Sequence, residues 1–357
     1  MSNKDLYPKG GGIIKNAVAA SLVKHGISKY RADEDWEKIN VRVPPRGLKD
    51  NYNDSFVFQG SDNSGNMFMS RLGLREDGSI REVWVFLDID GEKFTNEPIL
   101  INGENPADET IAAGGLSYTY IDDGCWKIEF EGLLNGNVKG KIDLTYIPSS
   151  KIYLSSIHMD PRSTGRAMAE MPWSRDYFDK LRSERQVRFE EGGYLEGTIL
   201  FGEKSFTSRL KAFRDHSFGK REWAFINRYI WNIFSLENPV SLGGDEFEYI
   251  CYTTVDYGTT FKHLVSGWIA GKNSILPIVA SSNMHELASD RVVPGVYDIV
   301  FVPRGKSAVT AKVFRSGTPH IWSMQNGSFI VNEAYCKIEI NGITGQGMSE
   351  FGYSITD

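Results

Sequence analysis

Cysteine is scarce in this chain. Only Cys125, Cys251 and Cys336 occur among 357 residues, far apart and without a CxxC pair. That spacing excludes a disulfide framework and argues against a thiolate zinc site. Long apolar runs are also missing. None approaches the ~18 residues that a transmembrane helix needs. Positive charge is not in excess: the formal net charge is −6. Nucleic acid is therefore not an expected partner, because binding a phosphate backbone takes a basic face. The first residues carry only a short apolar patch after Gly10-Gly11-Gly12, without the core and cleavage pattern of a signal peptide, so a cytoplasmic location is expected. Asn53-Asp54-Ser55 and Asn326-Gly327-Ser328 fit the glycosylation pattern, which means little without a secretion signal. The glycine triplet lacks the preceding strand and the Lys-Ser/Thr ending of a phosphate loop. A GxGxxG turn after a strand and a GxSxG elbow are missing too, which counts against a nucleotide-dependent enzyme or a hydrolase. His158, His263, His285 and His320 show no ligand spacing, so neither a metal nor another cofactor is expected.

What is present points to β-structure. The chain has 36 glycines and 12% aromatic residues, and its length favours two domains. Residues 13–30 form the exception. Ile13, Ile14, Val18, Ala19, Leu22 and Val23 recur at helical spacing, which predicts a helix packed on the outside or end of a barrel. Peripheral attachment to a membrane surface is the alternative use. From Ser55 the apolar period becomes two, in segments such as SFVFQGSD, IREVWVFLDID, CWKIEFEGLL and KGKIDLTYI. Asp77-Gly78, Asp123-Gly124 and Asn135-Gly136 are hairpin signals between them. Residues 160–186 interrupt this rhythm, with a helix expected around Arg175 to Arg182. Gly192-Gly193 reads as a turn and Gly219 as a bulge or bend. Strand-like segments then continue to the end, with 284–295 as a connection. The expected architecture is all-β: a helix and lead-in over 1–54, then two antiparallel barrel or sandwich domains over 55–206 and 207–357.

The most unusual stretch is Phe213 to Trp231, FRDHSFGKREWAFINRYIW. A surface loop has little use for so many aromatic rings, and a core strand cannot carry so many charges unless they are paired. The mixture suits a mostly apolar pocket with a few placed polar groups.

Four segments carry a family likeness, in this order: Trp126 to Gly132 (W-x-I-x-F-x-G), Phe189 to Ile199 (F-E-x-x-G…G-x-I), Arg214 to Trp223 (R-D-H-S-F-G-x-R-x-W) and Gly345 to Glu350 (G-x-G-x-x-E). This resembles the two-domain lipocalin-like superfamily of carotenoid 1,2-hydratase and kievitone hydratase, which two-domain cyclases and Diels–Alderases resemble in architecture. The resemblance implies two lipocalin-like β domains that hold a hydrophobic ligand in or between them. It also implies hydration, isomerisation or cyclisation of an apolar isoprenoid or polyketide without a redox cofactor. Asp215 and His216 match the hydratases' D-H-x-W element. Phe218 stands where those enzymes have Trp, a departure that leaves an aromatic ring but sets the chain apart from carotenoid hydration.

Hydrating or cyclising an unactivated alkene begins with proton delivery to carbon. That takes an acid held in a dry site, then aromatic faces around the cation. His216 and Asp215 are the candidate acid/base pair. If the segment is extended, His216 and Phe218 share one face and Asp215 takes the other, where it orients a neighbour or pairs with Arg214 or Arg221. The competing readings are a satisfied core histidine and a structural Asp215–Arg221 salt bridge. Phe218, Arg221, Trp223, Tyr229, Trp231 and Glu350 are the candidate substrate-binding residues, with core packing the expected use of at least two of Trp223, Tyr229 and Trp231. Glu350 is either a second acid/base or the partner of an Arg from the central motif, and Gly345 and Gly347 allow close backbone approach beside it. Glu190-Glu191 is expected to be a solvated pair. The expected activity is thus lyase or isomerase chemistry, of hydratase or terpenoid-cyclase type, on an isoprenoid or polyene-like molecule at the junction of the two domains. The rival is a lipocalin-like carrier that returns its ligand unaltered. Oligomeric state is open.

Overall fold

A computed structural model describes residues 6–7, 11–33, 40–41, 52–75, 80–102, 110–183, 186–220, 226–282, 292–324 and 327–355. The chain begins with β1 (Leu6–Tyr7) and α1 (Ile13–Asp33). Strands β2 (Tyr52–Ser61), β3 (Met67–Arg75), β4 (Ile80–Ile89), β5 (Glu92–Asn102), β6 (Thr110–Ala113), β7 (Leu116–Tyr120), β8 (Trp126–Leu134), β9 (Val138–Pro148) and β10 (Tyr153–Leu154) follow. Three helices come next: α2 (Ser155–His158), α3 (Pro161–Ala169) and α4 (Arg175–Ser183). Two long strands, β11 (Gln186–Phe201) and β12 (Lys204–Lys220), precede β13 (Ile226–Leu242), β14 (Asp245–Tyr257), β15 (Phe261–Ala270) and β16 (Ile275–Ser282). The last are β17 (Val296–Pro303), β18 (Val309–Arg315), β19 (His320–Met324), β20 (Phe329–Ile340) and β21 (Ile343–Ser354). The protein is all-β with a short N-terminal helix, as its sequence rhythm predicts.

The chain divides into two compact units. An open-sheet unit comprises Glu34–Ile152 and Gln186–Arg221. Its antiparallel strands run β5-β4-β3-β2-β12-β11-β9-β8-β7-β6. The sheet curls round one apolar core that includes Phe56, Phe58, Leu72, Val85, Tyr118, Trp126, Ile128, Leu144 and Leu195. In β8 and β9 alternate residues face this core and water, the pattern of a half-buried strand. In β2 the alternation is lost, and nine of its ten residues are buried on one face or the other.

The second, barrel unit comprises Met1–Asp33, Tyr153–Arg185 and Glu222–Asp357. Its strands close a ring β16-β15-β14-β13-β21-β20-β18-β17 through the pairing of β16 with β17, while β19 adds to β20 and β1 to β16. Ile230, Phe234, Ile250, Ile269, Val313 and Phe351 are among the residues that fill the interior. Helix α3 starts at Asp160, whose Oδ1 accepts the Arg162 and Ser163 amides at 2.9 Å, with Pro161 opening the first turn.

Several local expectations are revised. Residue 207, where the sequence divides the domains, lies inside β12, which belongs throughout to the open-sheet unit. Gly192-Gly193 is not a turn but the middle of β11. A side chain at Gly193 would sit 2.4 Å from the Ile147 carbonyl oxygen and 2.8 Å from the Tyr146 ring, so the glycine allows β9 to approach closely. Gly219 has φ +136° but keeps its register with Gln186 and Asn53, so it is not a bulge. The helix over 13–30 is present, but most of its apolar stripe does not pack. Ile13, Ile14, Val18 and Leu22 are exposed, and Ala19 is buried against Met168 and Ala169 of α3. Small residues there permit close helix crossing, and only one narrow face is used. Helix α4 matches the expected segment, whereas α2 and α3 were not foreseen. Asp123-Gly124 and Asn135-Gly136 both turn through positive φ, as hairpin turns of this kind require. Asp77-Gly78 lies outside the described residues, as does most of the 284–295 connection.

Candidate functional site

The central motif is divided between the units. Residues 213–220 end β12 in the open-sheet unit, 226–231 open β13 in the barrel unit, and Arg221 and Trp223 lie outside the described residues. Strand alternation decides what β12 presents. Arg214, His216 and Phe218 share the core side; Asp215 takes the opposite face. Their register with β2 and β11 sets Phe56 and Phe189 beside His216. The imidazole is fully buried and stacks on Phe56 with ring centroids 3.9 Å apart, while the Phe218 ring lies 5.6 Å away. Its Nδ1 is 2.9 Å from the Asn40 carbonyl oxygen and its Nε2 is 2.8 Å from Asp54 Oδ1. A carbonyl only accepts, so Nδ1 carries a proton. Nε2 then either donates to an ionised Asp54 or accepts from a protonated one. Both nitrogens are committed, which is the geometry of a satisfied core histidine.

The charges around this histidine are compensated by opposite charges. Arg214 donates to Asn40 Oδ1 at 2.6 Å and lies 3.7 Å from Glu191 Oε2, with its guanidinium 5.7 Å from the centre of the Trp126 ring. Burial pushes the Glu191 carboxyl up to about 7, against the pull of Arg214. Of the two arginines expected for Asp215, Arg221 lies outside the described residues, and the observed partner is not Arg214 but Arg188. Its Oδ1 is 3.5 Å from Arg188 Nε, because Arg214 points to the other face of the strand. Arg188 also reaches Glu190 at 3.3 Å. Glu190 and Glu191 are thus not a solvated pair. Both are buried, mid-strand and on opposite faces, because the neighbouring glycines do not form a turn. Further along the same sheet, Glu82 lies 2.8 Å from Arg71 and also binds Arg75. Burial pushes the Glu82 carboxyl up, but the two arginines outweigh it and hold the group at about 2.

The barrel unit gathers a different set. Cross-strand register places His320, Glu333, Glu350 and Trp231 in one row across β19, β20, β21 and β13. Directly opposed residues share a face, and this face is the one away from the apolar interior. Tyr229 stands two residues from Trp231 and donates its hydroxyl to Glu350 Oε1. The Tyr229 ring stacks on Phe329 at 5.9 Å, and Trp231 Nε1 points at Cys251 Sγ at 3.1 Å. Trp322 donates its indole N–H to Glu333 Oε2 at 2.7 Å. Glu333 is 1% exposed and Glu350 8%. Burial holds the Glu333 carboxyl well above the ordinary range, and the neighbouring Glu350 raises it further against the Trp322 hydrogen bond. Among the described residues Glu350 has Tyr229 and Glu333 as neighbours; Arg221 of the central motif lies outside the described residues. Gly347 does permit close approach: a side chain there would strike the Ile233 carbonyl.

The structure therefore brings together Tyr229, Trp231 and Glu350 on one wall, and His216 and Phe218 in another unit. Sequence reasoning missed Glu333, Trp322 and Asp54. Glu333 was findable in part, as an acidic residue inside the otherwise apolar strand FIVNEAYCKIEI. Asp54 looked like lead-in, and only strand pairing carries it to the histidine.

A family model described as domain of unknown function DUF7064 matches residues 37–354. The chain belongs to that family. This DUF7064 chain matches no curated protein. Among solved structures it is similar to one described as an AttH from Nitrosomonas europaea, with 8% identity, 88% of this chain and 97% of the other covered, and a TM-score of 0.56. It is also similar to kievitone hydratase from Nectria haematococca, with 12% identity, coverage of 87% and 93%, and a TM-score of 0.50. These likenesses establish the two-domain lipocalin-like fold of the DUF7064 chain, in agreement with the resemblance carried by its motifs. Among its described residues no helix is long and apolar enough to cross a membrane.

Proposed function

We propose that this protein is a cofactor-independent enzyme acting on a hydrophobic, isoprenoid or polyene-like small molecule by acid/base-driven hydration, isomerisation or cyclisation. The observation that carries the reading is the wall formed by Tyr229, Trp231 and Glu350, where a buried carboxyl group sits among aromatic rings. A carboxyl group placed there can exchange a proton with a substrate carbon, and the rings can face a carbocation once the proton has moved. The structural likeness to a hydratase is consistent with this chemistry but supplies only the fold.

His216 and Asp215 enter the reading as positioning residues. The imidazole holds Asn40 and Asp54 to β12, and Asp215 holds Arg188 on the opposite face. The test begins with mass spectrometry of small molecules extracted from purified protein. The extract is then returned to fresh enzyme, and the products of wild type and Glu350→Gln are compared. Product of altered mass or retention time from wild type alone supports the enzyme. Ligand returned unaltered by both proteins identifies a carrier and overturns the proposal.

A further inference from the structure

We infer that the exposed face of α1 docks this protein on a membrane surface rich in anionic phospholipid. The inference goes beyond the enzymatic reading and does not depend on it. Its first basis is how α1 is held. One side of the helix lies so close to α3 that a side chain at Gly165 would sit 2.6 Å from the Ala20 amide nitrogen, and Ala19 is fully buried. Near the start of the helix, Lys15 donates to the Met171 carbonyl at 2.5 Å and stands 5.0 Å from the centre of the Trp173 ring. The helix is fixed along that side and turns its other side outward. Ile13 and Ile14 are 89% and 82% exposed, and Val18 and Leu22 44% and 46%. Ile14, Val18 and Leu22 recur at i, i+4 spacing and form one stripe. Single exposed apolar residues are ordinary, but a contiguous exposed group on a fixed helix marks an interaction surface.

Charge selects the occupant. From Ile13 to Arg31 the helix carries Lys15, Lys24, Lys29 and Arg31 and no acidic residue, in a chain whose net charge is −6. Lys24 and His25 come about three turns after Ile13 and Ile14, and Lys29 about two turns after Leu22, so they continue the same exposed face. A second copy of this chain would set these lysines against each other or on the isoleucines, and it offers no opposite charge on this face. An anionic bilayer meets both halves of the helix at once. The isoleucine end enters the acyl boundary, and the lysine stems lie along it with their ammonium groups among the phosphates. An ordinary interfacial helix has its far side in water. Here the far side packs on α3, which is why small and apolar residues occur on both sides. Docked in this way, the barrel unit lies against the phase where apolar molecules accumulate.

The test is flotation of the full chain with lipid vesicles, read without substrate or turnover. Wild type should float with vesicles of equal parts phosphatidylserine and phosphatidylcholine, and bind far less to phosphatidylcholine alone. Added salt should weaken the binding. Lys24→Gln combined with Lys29→Gln should lower the partition coefficient by about thirtyfold, roughly fivefold for each lysine beside an anionic surface. Ile13→Ser combined with Ile14→Ser should lower it by about a hundredfold or more. Both pairs lie on the exposed face, so the contact with α3 stays in place. Failure of wild type to float with the anionic vesicles overturns the inference. So does binding that is equal on both kinds of vesicle and unchanged by the lysine substitutions. Light scattering without vesicles reads the rival. A wild-type dimer that the isoleucine substitutions return to monomer assigns this face to a second copy and overturns membrane docking.

Discussion

The two units bury polar groups by opposite rules. In the open-sheet unit each buried acid among the described residues has a base beside it: Asp54 with His216, Glu191 with Arg214, Asp215 and Glu190 with Arg188, and Glu82 with Arg71 and Arg75. In the barrel unit Glu333 faces the Glu350 carboxyl and accepts the Trp322 indole N–H. Opposite charges hold these strands together; two arginines keep Glu82 at about 2, while burial outweighs the single Arg214 at Glu191. A like-charge pair costs stability and keeps a proton available where an isolated exposed glutamate would have none. That contrast separates the central motif on β12, whose buried charges meet opposite charges, from a buried carboxyl that meets its like on β20.

The contrast can be broken by experiment. The largest expected effect is at Asp54. Replacing it by Ala leaves a fully buried imidazole without its acid partner and should cost about 3–5 kcal/mol in urea unfolding, with Asp54→Asn costing less. A loss below about 1 kcal/mol would remove the structural role given to this pair. Next is Glu82. Its folded pKa is depressed to about 2 from an ordinary 4.5, so its contribution is present above pH 4.5 and is lost as pH falls towards 2. The shift corresponds to about 3 kcal/mol. Unfolding measured from pH 6 downwards should show this acid loss in wild type and not in Glu82→Gln.

Glu333 should behave in the reverse sense. Its folded pKa is raised, so its carboxyl favours the folded state at low pH, and that advantage disappears as pH rises above the ordinary glutamate range. Glu333→Gln is expected to stabilise the protein at pH 8 by about 1 kcal/mol or more in urea unfolding. Destabilisation at pH 8 would mean that the carboxyl is held ionised by a cation. The smallest effect belongs to Trp322→Phe, which removes one hydrogen bond from Glu333 at a cost of about 1 kcal/mol. It should also raise the pH at which the Glu333 carboxyl ionises, followed by infrared spectroscopy of its C=O stretch, since the indole N–H favours the ionised form.

Much of the fold was legible in the chain itself. Alternation in segments such as WKIEFEGLL, and Asn135-Gly136 or Asp123-Gly124 between strands, specify antiparallel hairpins because side-chain period and turn conformation are local properties. The division of Asp215 from His216 and Phe218 followed from the same geometry. What misled was local chemistry read without neighbours. Gly192-Gly193 resembles a turn until the Ile147 carbonyl and Tyr146 ring of β9 are seen to need the space, and Glu190-Glu191 resembles a solvated pair until β11 is seen to run straight through it.

The amino-acid order alone thus determined an all-β protein, the hairpins, and the face each motif residue takes, since these depend on residues a few positions apart. Tertiary structure alone decided which charges meet. Asp54 reaches His216 across 162 positions, and Glu333 lies opposite Glu350 only because β20 and β21 pair in one register. Whether a buried carboxyl is neutralised by an arginine or confronted by its like is set by that register, and with it whether the group serves as a strut or as an acid.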